Sequence, residues 1–512
     1  MIAELKCIGL LGIDAFLVTV EVDLSLGLPA FEIIGLPDGI VKEARDRVRS
    51  AIKNSGFKFP VRRIVVNLSP ANIKKYGTIY DLSILLAILK ADGQIENVDQ
   101  ESIFLGEVSL GGKIGRISGV LPIVLSAKKL GFKKFFIPKS NTEEAALVRG
   151  ISVYAVENVK ELAHMVSKDY ESKLTPEPVT EINVKSFRSS SDFCQVKGQY
   201  EAKRALEIAA AGSHNLLMIG PPGSGKSMLA KRISGILPDM TLEEIVDVTQ
   251  IYSVAGELGA ENPMIIRRAF RSPHHTISIA GLAGGGSIPR PGEISLAHNG
   301  ILFLDELTEF VRNTIEVLRQ PLEDGIVTIS RARSSFTYPC CFMLIAAMNP
   351  CPCGYFGHPR RPCVCSKKAM KQYLAKISGP ILDRIDIHVE VPAVDFNSIS
   401  SNDGENESSD IIRQRVINAR IIQTERYKNI GISYNSKILS SDFNNFFALS
   451  DEANKILKLA FEKIGLSARA YDKILKISRT IADLEQSETI KEDHVAEAIQ
   501  YRSLDRKYWL RS

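Results

Sequence analysis

Residues 220–227 read Gly-Pro-Pro-Gly-Ser-Gly-Lys-Ser, a spacing suited to phosphate chemistry. Gly220, Gly225, Lys226 and Ser227 hold the fixed positions of G-x-x-x-x-G-K-[ST], with Pro221, Pro222, Gly223 and Ser224 between them. Glycines there let successive backbone N–H groups curl around phosphate oxygens. Lys226 brings charge to the β- and γ-phosphates, and the Ser227 hydroxyl suits Mg2+. The octapeptide therefore predicts a site for ATP and Mg2+.

Two more segments fit that chemistry. In "GILFLDEL", residues 300–307, four apolar residues precede Asp305 and Glu306. A buried strand would deliver both carboxylates at its carboxyl end, where α/β ligand sites lie. Asp305 is suited to the Mg2+ shell and Glu306 to polarising an attacking water. In "LIAAMNP", residues 344–350, Asn349 follows another apolar run and can orient that water; the plain alternative is an Asn-Pro strand-to-turn step.

A third group is made of thiols. Cys351, Cys353, Cys363 and Cys365 are half of the 8 cysteines in the chain. Four thiolates can close a tetrahedral structural Zn2+ site. The Cys-x-Cys spacing is tighter than the common Cys-x2–4-Cys, and His358 could replace one ligand. The alternative is four small or vicinal thiols without metal. Between the pairs, Arg360 and Arg361 suit phosphate contact. Lys367, Lys368 and Lys371 extend that charge or form an ordinary solvated helix face. In "GIVTISRARSSFTYP", residues 325–339, Arg331 and Arg333 alternate on one side of a hairpin strand, where they could follow a DNA backbone or simply face solvent. The Gly-rich stretch 276–293 reads as too irregular for a core element. "SPHHT", residues 272–276, and "LAHNG" place three histidines without a coordinating carboxylate, so a structural or loop role is expected.

The elements that must position these residues are legible in outline. A strand before Gly220 and a helix from Ser227 frame the phosphate loop. From Phe193 to about Pro392 strand, loop and helix alternate, which predicts a parallel sheet covered by helices. Residues 1–165 mix strands such as "FLVTVEVDL" and "RRIVVNL" with two helical patterns, 39–56 and 80–93. Residues 170–192 are polar with two prolines and read as a linker; 400–410 read as an acidic loop; helical spacing follows to the end. At 512 residues several domains are required, since single cores rarely exceed about 250–300 residues. A net charge of +5 permits nucleic-acid binding without arguing for it. No apolar run is long enough to span a membrane, and no signal peptide is visible, so a cytoplasmic protein with reduced thiols is expected.

"RPGEISLAHNGILFLDEL" and "GPILDRIDIHVEVP" resemble the characteristic sequences of the magnesium-chelatase-like branch of the AAA+ ATPases. Over nearly the whole length the chain is similar to the YifB/ComM family. The resemblance implies an α/β fold: a P-loop AAA+ module with parallel sheet and flanking helices, plus a C-terminal helical lid. Ahead of it stands an α+β Lon-protease-like domain of the ribosomal protein S5 domain 2 type. The implied boundaries are 1–168 for the Lon-like domain, 169–192 for the linker and 193–398 for the AAA+ domain with its Cys-rich insertion 351–365. An acidic loop, 399–411, and the lid, 412–512, complete the chain.

Arg384, in "ILDRID", is similar to the family's arginine finger, which acts on the neighbouring subunit's γ-phosphate. Arg469, in "LSARAYDK", is similar to its second sensor arginine; a surface salt bridge is the bland alternative for each. The resemblance implies a homo-hexamer that acts on single-stranded or branched DNA as an ATP-driven motor of helicase or branch-migration type, in recombination or natural transformation. The alternative is a chelatase-type motor that remodels a protein partner. Protease activity is not expected. Gly77-Thr78-Ile79-Tyr80-Asp81 stands where the Lon-like serine turn would be, and Gly119-Val120-Leu121 where the lysine would be; Ser83 and Lys128 lie nearby at other offsets.

Overall fold

The computed structural model describes residues 1–509 apart from 97, 100, 167–173, 181–190, 260–261, 287–288, 332–333, 394–406, 465–466 and 505–507. The N-terminal part is built on a seven-stranded sheet. Its strands are β1 (Ile2–Leu11), β2 (Asp14–Ser25), β3 (Ala30–Ile34), β4 (Arg63–Ser69), β5 (Ser102–Phe104), β6 (Lys134–Pro138) and β7 (Ser152–Val156). The spatial order is β3-β4-β2-β1-β5-β6-β7. In β2, Val18, Val20, Val22 and Leu24 are buried at every second position, so one face covers the core. Three helices cover it: α1 (Gly39–Asn54), α2 (Asp81–Ala91) and α3 (Val120–Lys129). Asp38 caps α1 by accepting from Val41 N at 2.7 Å, and Val41, Ala44, Val48, Ala51 and Ile52 form its buried stripe. The helix α3 is not one of the two helical patterns read in 1–165; its Pro122 lies in the first turn, where proline is tolerated.

Ser83 and Lys128 are held apart in function. The buried Ser83 hydroxyl donates to Phe104 O at 2.7 Å, and Lys128 Nζ donates to Arg149 O at 2.6 Å. Asp81, at the end of the 77–81 turn, is buried against Arg47 at 2.7 Å.

The central part holds a five-stranded, all-parallel sheet. Its strands are β8 (Leu216–Ile219), β9 (Phe270–Arg271), β10 (Ile301–Leu304), β11 (Met343–Met348) and β12 (Ile387–Glu390), in the order β9-β10-β11-β8-β12. Every residue of β8, β10 and β11 is buried, as expected of parallel strands covered on both faces. Asn215 ties three of these segments: its Oδ1 accepts from Leu344 N and its Nδ2 donates to Arg384 O, both at 2.9 Å. The 325–339 segment is the expected hairpin, Ile326–Arg331 paired with Ser334–Pro339. Arg333 and the side chain of Arg331 lie outside the described residues.

The Gly-rich stretch 276–293 is more ordered than its composition suggests. Ser278 caps a short helix, Ile279–Ala283, and Gly284–Gly285 pairs with Arg290–Pro291. Leu282 is fully buried. A Cβ at Gly292 would lie 2.4 Å from Gly284 N, so the glycines permit backbone-on-backbone packing that no side chain would allow.

Helices α4 (Tyr200–Gly212), α5 (Lys226–Arg232) and α6 (Leu242–Ala255) flank the sheet. The C-terminal part is helical: α7 (Ser409–Arg426), α8 (Asp451–Ile464), α9 (Ala468–Leu484) and α10 (Glu492–Gln500). The long α7 begins inside the stretch read as an acidic loop, and 394–406 lie outside the described residues. Helices α7 and α9 pack on α4, and a buried carboxylate joins α7 to α9. Asp483 accepts from Arg426 at 2.9 Å, Arg479 at 3.0 Å and Asn435 at 2.8 Å. The N-terminal part joins the central one where α3 meets α6. Gly119 N donates to Ser253 O at 3.0 Å, and the Ser253 hydroxyl donates to the buried carboxylate of Glu144. Among the described residues no helix is long and apolar enough to cross a membrane.

His298, at the entry to β10, is structural as expected. It is buried, and its Nδ1 accepts from Cys341 N at 3.0 Å. Burial pushes its pKa down from 6.5 to about 4. The unfolded chain therefore binds a proton that the folded one refuses, and this share of stability is lost as pH falls from 6.5 toward 4. His298→Asn keeps an acceptor and removes the titration. The urea midpoint of the wild type is expected to drop more between pH 7 and pH 5 than that of the variant; equal drops would remove His298 from the acid response.

Candidate nucleotide site

Strand β8 leads directly into the phosphate loop. Gly220 N donates to Met348 O at 3.2 Å, and a Cβ on Gly220 would lie 2.1 Å from Val391 O, so only glycine fits. Gly225 adopts φ 89° and opens α5, whose first residues are Lys226 and Ser227. Lys226 Nζ donates to Gly220 O at 2.7 Å, Pro221 O at 2.9 Å and Asn349 Oδ1 at 3.3 Å. Burial lowers its pKa to about 8, while Asp305 and Glu306 pull it back up. The Ser227 hydroxyl donates to Asp305 Oδ2 at 2.5 Å, which pairs the hydroxyl and carboxylate that would hold Mg2+.

Glu306 sits just past β10 in a left-handed conformation, φ 51°, with its N–H on Asp305 Oδ1 at 2.9 Å. A non-glycine residue held there costs about 1–3 kcal/mol, and such strain gathers at functional sites. The side chain points out to solvent over a cavity of about 380 Å³ that Lys226, Ser227, Asp305, Glu306 and Asn349 share. Sequence reasoning missed one member of this cluster. His275 Nδ1 lies 3.7 Å from the Glu306 carboxylate, and its ring rests against His274 at 4.1 Å. No sequence signal marked it: the histidine pair follows β9, and only the sheet places β9 beside β10.

Arg384 and Arg469 lie elsewhere. Both line a separate cavity of about 300 Å³ between the sheet and the C-terminal helices. Arg384 donates to Pro380 O at 2.7 Å and pairs with Glu323; its buried Nε has no hydrogen-bond partner among the described residues. Arg469 reaches Asp383 at 3.5 Å. Behind them Asp386 is clasped by Lys473 at 3.2 Å and by His214 at 3.3 Å. Burial alone would raise the Asp386 pKa, but these partners hold it well below the usual carboxylate range.

The four cysteines converge. Cys351 Sγ lies 3.4 Å from Cys353 Sγ and 3.7 Å from Cys363 Sγ, and Cys353 and Cys363 are 3.6 Å apart. All four sulfurs fall within 4.8 Å of one another. A tetrahedron of sulfurs around Zn2+ has edges of about 3.8 Å, given the usual Zn–S length, so the thiols fit that ion. His358 does not join them: its Nδ1 accepts from Arg360 N and Arg361 N at 3.1 Å. Arg361 folds back over Tyr355, with NH1 on the phenol oxygen at 2.9 Å. Arg360, Lys367, Lys368 and Lys371 are exposed.

Comparison with known proteins follows the same outline. Models described as magnesium chelatase subunit ChlI match residues 20–141 and 192–399, and a model of that subunit's C-terminal part matches 406–502. Competence protein ComM of Haemophilus influenzae is 44% identical over 500 residues, covering 97% of this chain and 96% of that protein. YifB of Escherichia coli is 41% identical over 498 residues, with 97% and 96% covered. The chain belongs to the magnesium-chelatase-like YifB/ComM family. Within that family the phosphate loop, Asp305, Glu306, Asn349, Arg384 and the cysteines all fall inside the 192–399 match. A magnesium-chelatase subunit ChlI of Olisthodiscus luteus is more distant, 24% identical over 240 residues and 44% of this chain.

Lys226→Ala removes the cation at the phosphate position while its neighbours remain. ATP turnover, measured as phosphate release, is expected to fall by about 100-fold or more with the thermal midpoint retained. Retained turnover would overturn the site.

Proposed function

We propose that this protein is an ATP-hydrolysing motor acting on DNA, assembled as a ring of identical subunits with six as the expected number. The observation that carries the reading is a division of labour. Lys226, Ser227, Asp305, Glu306 and Asn349 surround one cavity, while Arg384 and Arg469 flank another. A pocket with a lysine, a Mg2+ pair and a carboxylate lacks the second cation that stabilises charge on a transferring phosphoryl group. A neighbouring subunit can supply it, with Arg384 as the finger and Arg469 beside it.

In this mechanism the backbone of Gly220–Gly225 and Lys226 bind the phosphates. Bound Mg2+, held through Ser227 and Asp305, would supply charge neutralisation. Glu306 takes the proton of the attacking water, and Asn349, fixed by Lys226, orients that water. The Asp386–Lys473 pair ties the Arg384 segment to α9, so a shift of the helical lid moves both arginines together. The four-cysteine turn binds structural Zn2+. The N-terminal part is read as a Lon-like scaffold without protease chemistry. Arg331 and Arg333 on the hairpin, with Arg360, are the expected DNA-backbone contacts; Arg361 is engaged within its own turn. The name of the Haemophilus relative, a competence protein, supports a role in handling DNA during natural transformation. A chelatase-type motor that remodels a protein partner is the second reading, favoured by the ChlI models that match the chain.

ATPase rates with single-stranded DNA, duplex and a branched junction at fixed salt separate the two. Stimulation that disappears in Lys226→Ala is expected; a rate unchanged by any DNA would favour protein remodelling. Mixing Arg384→Ala with Glu306→Gln protein is expected to restore ATPase activity to a fraction of interfaces, since one variant supplies the carboxylate and the other the arginine. Absence of recovery at every ratio would overturn the shared pocket.

A further inference from the structure

The cysteine turn does more than project from the nucleotide domain; it rests on the phosphate loop. Asn349 and Cys351 are separated only by Pro350, and Cys351 is fully buried. Gly354 N closes the first turn onto Cys351 O at 2.9 Å, and Gly354 takes φ 83°. At that point the backbone lies so close to the loop that a Cβ would sit 2.6 Å from Pro222 Cδ and 2.8 Å from its Cγ. A second contact runs round the other side. Phe356 meets the edge of Tyr508 at 6.2 Å, and the Tyr508 hydroxyl donates to Glu390 at 3.0 Å. Glu390 pairs with Ile219, the residue before Gly220. The turn therefore touches the phosphate loop at Pro222 and, through Tyr508, the strand that delivers it.

Residues 351–365 contain no helix or strand. Cys351 and Gly354 are the buried residues of this segment and the half-buried Phe356 adds apolar contact, so apolar burial within it is small. Beyond its own turn hydrogen bonds, cross-linking by an ion would add the most order, because metal binding at such a site is folding free energy. We propose that the four-cysteine site is a positioning device for the nucleotide pocket: Zn2+ on Cys351, Cys353, Cys363 and Cys365 holds Gly354 against Pro222 and fixes Asn349 opposite Lys226. Nucleotide affinity then depends on metal occupancy. The inference rests on the reading of residues 220–227 as the nucleotide site, and it gives the turn a role at that site apart from any contact Arg360 makes with DNA.

The test uses the full chain without DNA. Zinc is measured by elemental analysis, and nucleotide affinity by titration with a fluorescent ATP analogue. One zinc per chain is expected in the wild type. Cys363→Ser and Cys365→Ser change the outer pair of ligands. They are expected to lose zinc and weaken nucleotide binding at least tenfold, with the far-ultraviolet circular dichroism retained. Gly354→Ala tests the contact without touching a ligand: zinc stays and nucleotide binding weakens. Zinc-free variants that bind nucleotide as the wild type does would overturn the proposal, as would a wild type that neither carries nor takes up zinc. Unchanged nucleotide affinity in Gly354→Ala would also overturn it. A wild type that carries zinc but binds no nucleotide would instead overturn the reading of residues 220–227.

Discussion

The strands Leu216–Ile219, Ile301–Leu304 and Met343–Met348 are buried on both faces, and this burial organises the molecule. Charge cannot sit within them without a desolvation penalty, so it emerges where the strands end. Because all three run parallel, their ends share one edge. Ile219 stands beside Met348, and Leu304 beside Ala346, so Gly220, Asn349 and the Asp305–Glu306 pair come out together. Three segments far apart in the chain thus form one cluster, and Lys226 reaches across it to Asn349.

A second level of order comes from charges buried in pairs. Asp386 and Lys473 are both largely withdrawn from water, and each would be costly alone. Together they lock α9 to the segment that carries Arg384. Asp483 does the same inside the helical part, with Arg426 and Arg479. These contacts are directional, so they specify how the helices sit on the sheet, which apolar packing alone leaves loose. The outcome is that Arg384 and Arg469 point to one cavity, away from the phosphate loop of their own chain.

Glycine plays the complementary part. At Gly220 the loop passes under Val391 O, and at Gly354 the cysteine turn comes down on Pro222; each place excludes a Cβ. Close backbone approach lets the four-cysteine turn and residues 220–227 share a wall, though neither sequence segment hints at the other. The N-terminal part is tied on by polar contacts too. The buried Glu144 accepts from Leu121 N at 3.0 Å and from Ser253 across the boundary.

Much of the grouping at the candidate nucleotide site was legible from the residues alone. The phosphate loop, Asp305 with Glu306, and Asn349 each follow an apolar run, and a short motif at a strand end needs only local order to be read. The hairpin at 325–339 and the four-cysteine grouping were legible for the same reason. What the sequence could not show was adjacency between strands. His275 gave no sign of meeting Glu306, because only the β9–β10 pairing sets them side by side. The helix Val120–Lys129 was not among the patterns read; its Pro122 sits in a first turn, and only the packed structure tells that from a helix break. The Gly-rich stretch 276–293 looked structureless, yet its glycines pack backbone on backbone. The placement of Arg384 with Arg469, and of Gly354 on Pro222, was likewise decided by tertiary structure. Motifs record what a residue can bind, but contacts between distant segments arise only when burial and paired charges choose one packing from many.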